Sequence, residues 1–299
     1  MIPFPVVGVT RPNFLILTPI CISLGLASVL WSGQTVAWGL FAIVLLGGLG
    51  AHISVNALNE YTDYHSGLDF KTDRTPFSGG SGTLVMQPRL APYALGIGLA
   101  SLLVTLLAGL FLLQHAGWGL VPIGVLGILI IVTYTGWINR HRLLVLVAPG
   151  VGFGPLMVVG THYALTGDYS ATALLLSMVP FFLVNNLLLL NQIPDVDADR
   201  SVGRDNFAIA WSPARRAWLY LVFVLLAYLV VIIGVLLGRL PASALLGLLT
   251  AAIAYQIFHG VRRYNGDNRQ LIPYLGRNVI VTLATPFLIF LGIVINFIW

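Results

Sequence analysis

Nine long apolar stretches alternate with short polar segments along the 299 residues. They fall near 13–32, 36–60, 92–114, 117–136, 143–165, 171–193, 216–237, 241–260 and 277–298. Each is close to the roughly 20 residues that an α-helix needs to cross a hydrocarbon layer. The apolar runs are continuous and do not alternate with polar residues, which speaks against a β-barrel. The fifth stretch carries Pro149, Gly150, Gly152, Gly154 and Pro155, which membrane bundles accommodate better than soluble helices do. The pattern therefore predicts an all-α polytopic membrane protein, with nine transmembrane helices and one membrane-embedded domain over 1–299. The first stretch is full length, only Arg11 stands before it among the basic residues, and no small-residue cleavage site follows. It is expected to remain as a membrane helix and not to act as a cleaved leader.

Composition agrees. The chain is 58% hydrophobic and 8% charged, where a soluble domain has about 25% charged residues. The net charge of +5 does not point to nucleic acid, because the basic residues are sorted by loop. With nine spans and the N-terminus inside, fourteen of the fifteen Lys and Arg fall on the cytoplasmic side, and Arg239 alone falls outside. The loops at 33–35, 115–116 and 166–170 hold none. That is the positive-inside pattern. Nine of the ten acidic residues share the cytoplasmic face, Asp168 being the exception, so the chemistry is expected to open to the cytoplasm. Cys21, within the first span, reads as a small apolar packing residue.

Eight of the ten acidic residues form two clusters, each beginning where an apolar span ends. The first is Asn59-Glu60-Tyr61-Thr62-Asp63, followed by Asp69 and Asp73. The second is Asn191-Gln192-Ile193-Pro194-Asp195, followed by Asp197, Asp199 and Asp205. Both read N-x-x-x-D, 132 residues apart, which suggests a weak internal duplication with a site between two similar halves. On the second helix Asn56, Asn59 and Asp63 share one face, and His52 extends it a turn deeper. Asn191, Asp195 and Asp199 share a face of the sixth helix if that helix continues past Pro194, a residue that tends to kink or end a helix. Hard carboxylate oxygens in pairs suit Mg²⁺, which commonly bridges protein carboxylates to substrate phosphates. Ionisable groups inside membrane helices are costly and mark functional positions.

Basic residues flank the clusters: Lys71 and Arg74 after the first, Arg200 and Arg204 at the second, Arg140 and Arg142 after the fourth helix. Each is a candidate diphosphate partner, and each alone also fits a positive-inside anchor. The run Ser78-Gly79-Gly80-Ser81-Gly82-Thr83 allows a close backbone approach to phosphate or a lid hinge. It lacks the spacing and Lys-Ser/Thr of a P-loop, so it implies no nucleotide. Tyr134 closes the fourth helix on the same side. Its ring is placed to shield a carbocation or to sit in an interfacial belt. His65, His141 and His162 have no partner visible in the sequence.

At these residues the chain resembles the UbiA superfamily of intramembrane aromatic prenyltransferases, over its whole length. The family's first motif is of the N-D-x-x-D type, and Glu60 stands where that motif has its first Asp. The string from Asn56 to Asp69, with Gly67-Leu68-Asp69, resembles the branch that prenylates 1,4-dihydroxy-2-naphthoate for menaquinone. Arg11-Pro12, the glycine run at 79–82, Tyr134-Thr135-Gly136 and Gly154-Pro155 are similar to that branch too, whereas its Gly-Leu-Gly-Glu element after Tyr134 is absent here. The second motif is Asp195-Val196-Asp197-Ala198-Asp199-Arg200 followed by Gly203-Arg204.

The resemblance implies a UbiA-like bundle in a bacterial or archaeal cytoplasmic membrane. It implies Mg²⁺ held by Asn59, Asp63, Asp69, Asp195 and Asp199. A polyprenyl diphosphate would lie against Asn56, Asn59, Lys71, Arg74, Arg140, Asn191 and Arg204, with Asp63, Asp195 and Tyr134 as the catalytic residues. The partners implied are polyprenyl diphosphate, an aromatic acceptor and the lipid bilayer, and no nucleic acid. Other acceptors of the superfamily remain open: a hydroxybenzoate, homogentisate, a tetrapyrrole or a glycerol-phosphate lipid. A Mg²⁺ or organic-anion transporter is the alternative from another class, but it should place polar groups near mid-bilayer, and the outer half of this chain is nearly bare of them.

Overall fold

The computed structural model describes residues 4–298. Among these residues eight helices are long and apolar enough to cross a membrane, and a ninth apolar helix is shorter. We number the nine α1 Leu17–Trp31, α2 Trp38–His65, α3 Ala91–Ala116, α4 Leu120–Thr133, α5 Arg142–Thr166, α6 Ala171–Asn191, α7 Pro213–Leu236, α8 Ala242–Arg262 and α9 Asn268–Ile298.

Two boundaries differ from the sequence expectation in ways that matter. Helix α4 has 14 residues, about 21 Å at 1.5 Å per residue, which is short of a full crossing. Its apolar stretch is longer than its helix. The chain enters from Gly117, whose φ of 87° breaks the preceding helix, and after Tyr134 it leaves through turns into Ile138–Arg140. Conversely, α2 runs on to His65, so the whole first N-x-x-x-D motif lies on an unbroken helix and not in a loop. Helix α5 is α-helical to Val151, π-helical over Gly152–Val159 and α-helical again to Thr166. Pro155, which has no N–H to donate, lies in that wider stretch.

The main apolar core joins α1, α6, α7, α8 and α9 through residues such as Leu24, Leu183, Val224, Ile257 and Ile289. Cys21 is buried within it. Without a hydrophobic force between helices in lipid, small residues and hydrogen bonds do the joining. Asn186 Nδ2 donates to the Tyr220 carbonyl at 2.9 Å, tying α6 to α7. Thr250 on α8 meets Tyr228 of α7 at 2.8 Å and Thr285 of α9 at 2.7 Å. In the other half, α2 and α3 approach closely along Gly47 and Gly50. A β-carbon at Gly50 would meet the Ser101 carbonyl at 3.0 Å, and Thr105 donates to the Gly47 carbonyl at 3.1 Å. Between the two halves lies a cavity of about 580 Å³. Its mouth is formed by the polar segments after α2 and α6, and its body is lined by apolar residues of α1 to α5.

Candidate active site

The unbroken run of α2 keeps Asn56, Asn59 and Asp63 on one face, and all three line the cavity. Helix α6 stops at Asn191, as the position of Pro194 requires. The chain turns and re-enters a short helix, Val196–Ser201, with Asp195 at its N-cap. The break does not disperse the second cluster, because Asn191, Asp195 and Asp199 line the same cavity.

Arg204 joins the two clusters. Its guanidinium donates to Asp63 Oδ1 from one nitrogen and to Asp199 Oδ1, at 3.1 Å, from another. Gly203, at φ 77°, reverses the chain so that this is possible, and the Arg204 N–H closes the turn on the Asp199 carbonyl at 3.1 Å. Burial works against the guanidinium charge. Asp63 and Asp199 outweigh it and raise the Arg204 pKa, so Arg204 is a permanent cation between the motifs. Asn206 Nδ2 holds the other Asp199 oxygen at 3.0 Å.

A second cation reaches the cavity from before α1. Arg11 has φ 51° and is the one non-glycine residue with positive φ among those described. Such a backbone costs on the order of 1–3 kcal/mol and persists where its surroundings enforce it. Here the Arg11 guanidinium donates to Asn59 Oδ1 at 3.0 Å and to Glu60 Oε2 at 3.3 Å, and the residue lines the cavity. Sequence reasoning leaves Arg11 out of the candidate site. The Arg-Pro pair is its only signal, because its partners lie 48 and 49 residues away.

The glycine run bridges the motifs. Gly79 N donates to Asp195 Oδ2 at 3.1 Å. Gly80 lies so close to the first cluster that a β-carbon would stand 3.1 Å from Asp69 Oδ1 and 3.3 Å from Glu60 Oε2. Glu60 is fully buried. It accepts from Ser81 N at 3.0 Å and from Ser81 Oγ at 2.5 Å. Its oxygens are therefore engaged by the loop and by Arg11, so the acid that departs from the family motif fastens the glycine run to α2.

Other carboxylate oxygens are free. Asp69 Oδ2, Asp195 Oδ1 and the amide oxygen Asn191 Oδ1 are buried without a hydrogen-bond partner among the described residues, and all three residues line the cavity. Burial, then Glu60 and Asp63, push the Asp69 pKa up to about 7. Burial and then Asp199 push Asp195 up to about 7, against the Gly79 N–H. A buried, unpartnered carboxylate is costly until a cation or a proton meets it. These orphaned hard oxygens fit Mg²⁺. Among the described residues no three His, Cys, Asp or Glu side chains form a cage of their own. Mg²⁺ commonly takes one or two protein carboxylates and completes its shell with substrate phosphate and water.

Tyr134, just past the end of α4, lines the cavity, as do Asn139 and Gln192, two polar residues that spacing did not single out. Three of the predicted basic residues are not brought there. Lys71 is exposed and donates to Ser201 Oγ at 3.2 Å. Arg74 packs against Gly82, and Arg140 is exposed. Arg142 pairs with Asp205 and Arg200 with Asp197, on the outside. Lys71, Arg74, Arg140, Arg142 and Arg200 are thus near the clusters in sequence but are not among the residues that line the cavity.

The profile of the UbiA prenyltransferase family matches residues 18–275. The chain belongs to that family. The 1,4-dihydroxy-2-naphthoate octaprenyltransferase of Mycobacterium tuberculosis is 30% identical over 270 residues, which cover 89% of this chain and 87% of that protein. The like-named protein of Bacillus subtilis is 29% identical over 177 residues, 57% of this chain and 54% of that protein, so that match takes in about half of the relative's length. The UbiA prenyltransferase domain-containing protein 1 of Xenopus tropicalis is 29% identical over 262 residues, 84% of this chain and 71% of that protein. A digeranylgeranylglyceryl phosphate synthase structure superposes with a TM-score of 0.66 at 13% identity, covering 97% of this chain and 98% of that one. The structure of a UbiA homologue from Archaeoglobus fulgidus bound to GPP and Mg²⁺ superposes with a TM-score of 0.60 at 14% identity, covering 96% and 99%. At these identities the likeness shows a shared fold. This UbiA-family protein is an all-helical integral membrane prenyltransferase.

Proposed function

We propose that the protein transfers a polyprenyl group from polyprenyl diphosphate to 1,4-dihydroxy-2-naphthoate in menaquinone biosynthesis, with Mg²⁺, at a site facing the cytoplasm. The observation that carries the donor half is the convergence of both acidic motifs and two arginines on the polar mouth of one largely apolar cavity. The 29–30% identity to two proteins named as 1,4-dihydroxy-2-naphthoate octaprenyltransferases supports the acceptor. The sorting of Lys and Arg supports the orientation,.

In this reading Asp63, Asp69, Asp195 and Asp199, with Asn59, would share one or two Mg²⁺ ions, no more than two of the carboxylates on each. When bound, Mg²⁺ supplies the charge neutralisation that lets a diphosphate depart. Arg204 and Arg11 face the same diphosphate as fixed guanidinium donors, with Asn191 beside them. Asn56 acts indirectly, since its amide donates to the Thr10 carbonyl at 2.9 Å and keeps Arg11 in position. Tyr134 presents an aromatic face where positive charge develops on the allylic carbon. The apolar body excludes water and receives the polyprenyl tail. The electron-rich ring then attacks, and loss of its carboxylate as CO₂ restores aromaticity.

The test supplies purified protein in nanodiscs with polyprenyl diphosphate, Mg²⁺ and each acceptor in turn, and follows product mass. A product with dihydroxynaphthoate that has lost CO₂ supports the reading. Product only with a different acceptor overturns the acceptor and keeps the donor chemistry. No transfer to any acceptor overturns both.

A further inference from the structure

Below Asn56 the cavity wall is apolar, lined by Leu, Ile, Val, Gly and Phe residues of α1 to α5. Two polar residues there have spent their hydroxyl protons on the backbone. Thr105 donates to the Gly47 and Ser101 carbonyls and Thr161 to the Met157 carbonyl. His52 differs. It lines the cavity one helical turn deeper than Asn56, on the same face of α2. Its Nδ1 meets Thr18 Oγ1 of α1 at 2.9 Å, and its ring stands edge-on to Phe153 of α5, with centroids 4.8 Å apart. The imidazole is thus oriented from two sides, although only 6% of the residue is exposed. Among the described residues its Nε2 has no hydrogen-bond partner, and it is not among the sealed, unsatisfied atoms of the interior. The open nitrogen therefore meets the cavity.

An imidazole held this way is costly in an apolar wall unless something bonds it. From Asn59, beside the diphosphate mouth, to His52 is seven residues, about 10 Å along the helix axis. That separates a charged anchor at the mouth from one neutral hydrogen-bonding group deeper in the cavity. A polyprenyl tail has no use for such a group. A hydroxylated aromatic ring does.

We propose that His52 is an acceptor-binding residue, whose Nε2 hydrogen-bonds a ring hydroxyl of the aromatic acceptor and so turns the ring toward the allylic carbon. The assignment rests on the prenyl-transfer reading above, and its test is separable from it. Thr18 fixes which ring nitrogen faces the cavity, and Phe153 limits rotation of the imidazole. A site built to bond a hydroxyl discriminates strongly against ligands that lack one, because its own polar group is then stranded.

The experiment compares wild type, His52→Leu, His52→Gln and Thr18→Val in nanodiscs, reading KM separately for acceptor and donor. Acceptor binding without donor is read independently by the rise in melting temperature. In His52→Leu the acceptor KM should rise about tenfold or more, the size of one lost hydrogen bond. The donor KM should stay within about twofold, and the acceptor-induced thermal shift should disappear. His52→Gln carries an amide to the Nε2 position and should recover most of both. Thr18→Val removes the hydrogen bond that orients the ring and should fall between. Equal rises in both KM values, or an unchanged acceptor KM and thermal shift in His52→Leu, overturn the assignment. Should the Leu variant not fold, His52→Asn, whose shorter amide does not reach the Nε2 position, takes its place: a raised acceptor KM with a lost thermal shift supports the assignment, and wild-type values of both overturn it. A wild type that prenylates no aromatic acceptor overturns the functional reading itself and is recognised before any variant is made.

Discussion

Replacing Arg204 with Met keeps most of the side-chain volume and removes the charge that stands between the two motifs. In the wild type the guanidinium bonds Asp63 and Asp199, whose side chains are 9% and 3% exposed. Removing one partner of a buried ion pair costs about 3–5 kcal/mol, because the other partner is left charged and unpaired. Two carboxylates are stranded here, but Asp199 keeps the Asn206 amide at 3.0 Å, which places the effect at the lower end, about 3 kcal/mol. At roughly 2–4 °C per kcal/mol for a larger domain, Arg204→Met should melt about 6–12 °C below wild type. The assay is tryptophan fluorescence on heating in detergent and EDTA, at pH 7.5 and pH 5.5. Stranded carboxylates can shed their charge by taking up protons, so the gap to wild type should narrow at the lower pH. Arg204→Lys keeps a charge without the planar fork that reaches two carboxylates at once, and it should melt between the two. A variant that melts with wild type at pH 7.5, or a gap that widens toward pH 5.5, would refute the view of Arg204 as the cation joining the motifs.

Asp63→Asn and Asp195→Asn should each lower prenyl transfer at least about 100-fold, the scale for losing one charge-stabilising group, with the helical content seen by circular dichroism unchanged; near-normal turnover in either sinks the site. Asp69 and Asp195, pushed up to about 7 chiefly by burial from the ordinary 3.8, hold protons in the folded protein that the unfolded chain has released. Metal-free protein should therefore lose stability as pH rises between those values. Mg²⁺, which must displace those protons below pH 7, should raise the melting temperature more at pH 8 than at pH 6, and an equal effect at both contradicts the assignment. Gly124 lines the cavity and has open space where a β-carbon would stand, so Gly124→Phe should leave transfer of short prenyl groups intact and cut transfer of long ones about tenfold, read from product masses with donors of graded length.

Periodicity made one half of the site legible and chain reversal hid much of the other. Asn56, Asn59 and Asp63 could be placed on one face because α2 is regular through to His65. Asn191, Asp195 and Asp199 reach the same cavity although α6 ends before Pro194, so the two N-x-x-x-D motifs meet through a geometry that helical spacing does not describe. Arg11 was missed because its role depends on a left-handed backbone at the entrance to α1 and on partners two elements away. Glu60 could not be understood without Ser81, 21 residues on, where the glycine run returns to α2. Lys71, Arg74 and Arg140 stand beside the clusters in sequence but outside the cavity lining. A basic residue beside an acidic cluster in sequence lies beside it in space only if the turn between them points it inward. The fold was more legible than the site, since hydropathy alone marks helices that must cross lipid. It overran at α4, where the backbone turns before the apolar residues end.

The central claim is that both acidic motifs bind one metal-dependent prenyl diphosphate. Titration calorimetry of a non-reactive polyprenyl thiolodiphosphate into nanodisc-embedded protein tests it most directly, with and without Mg²⁺, in wild type and Asp195→Asn. Tight binding that requires Mg²⁺ and weakens at least tenfold in the variant is the predicted result. Binding of equal strength in EDTA, or indifferent to Asp195, would contradict it.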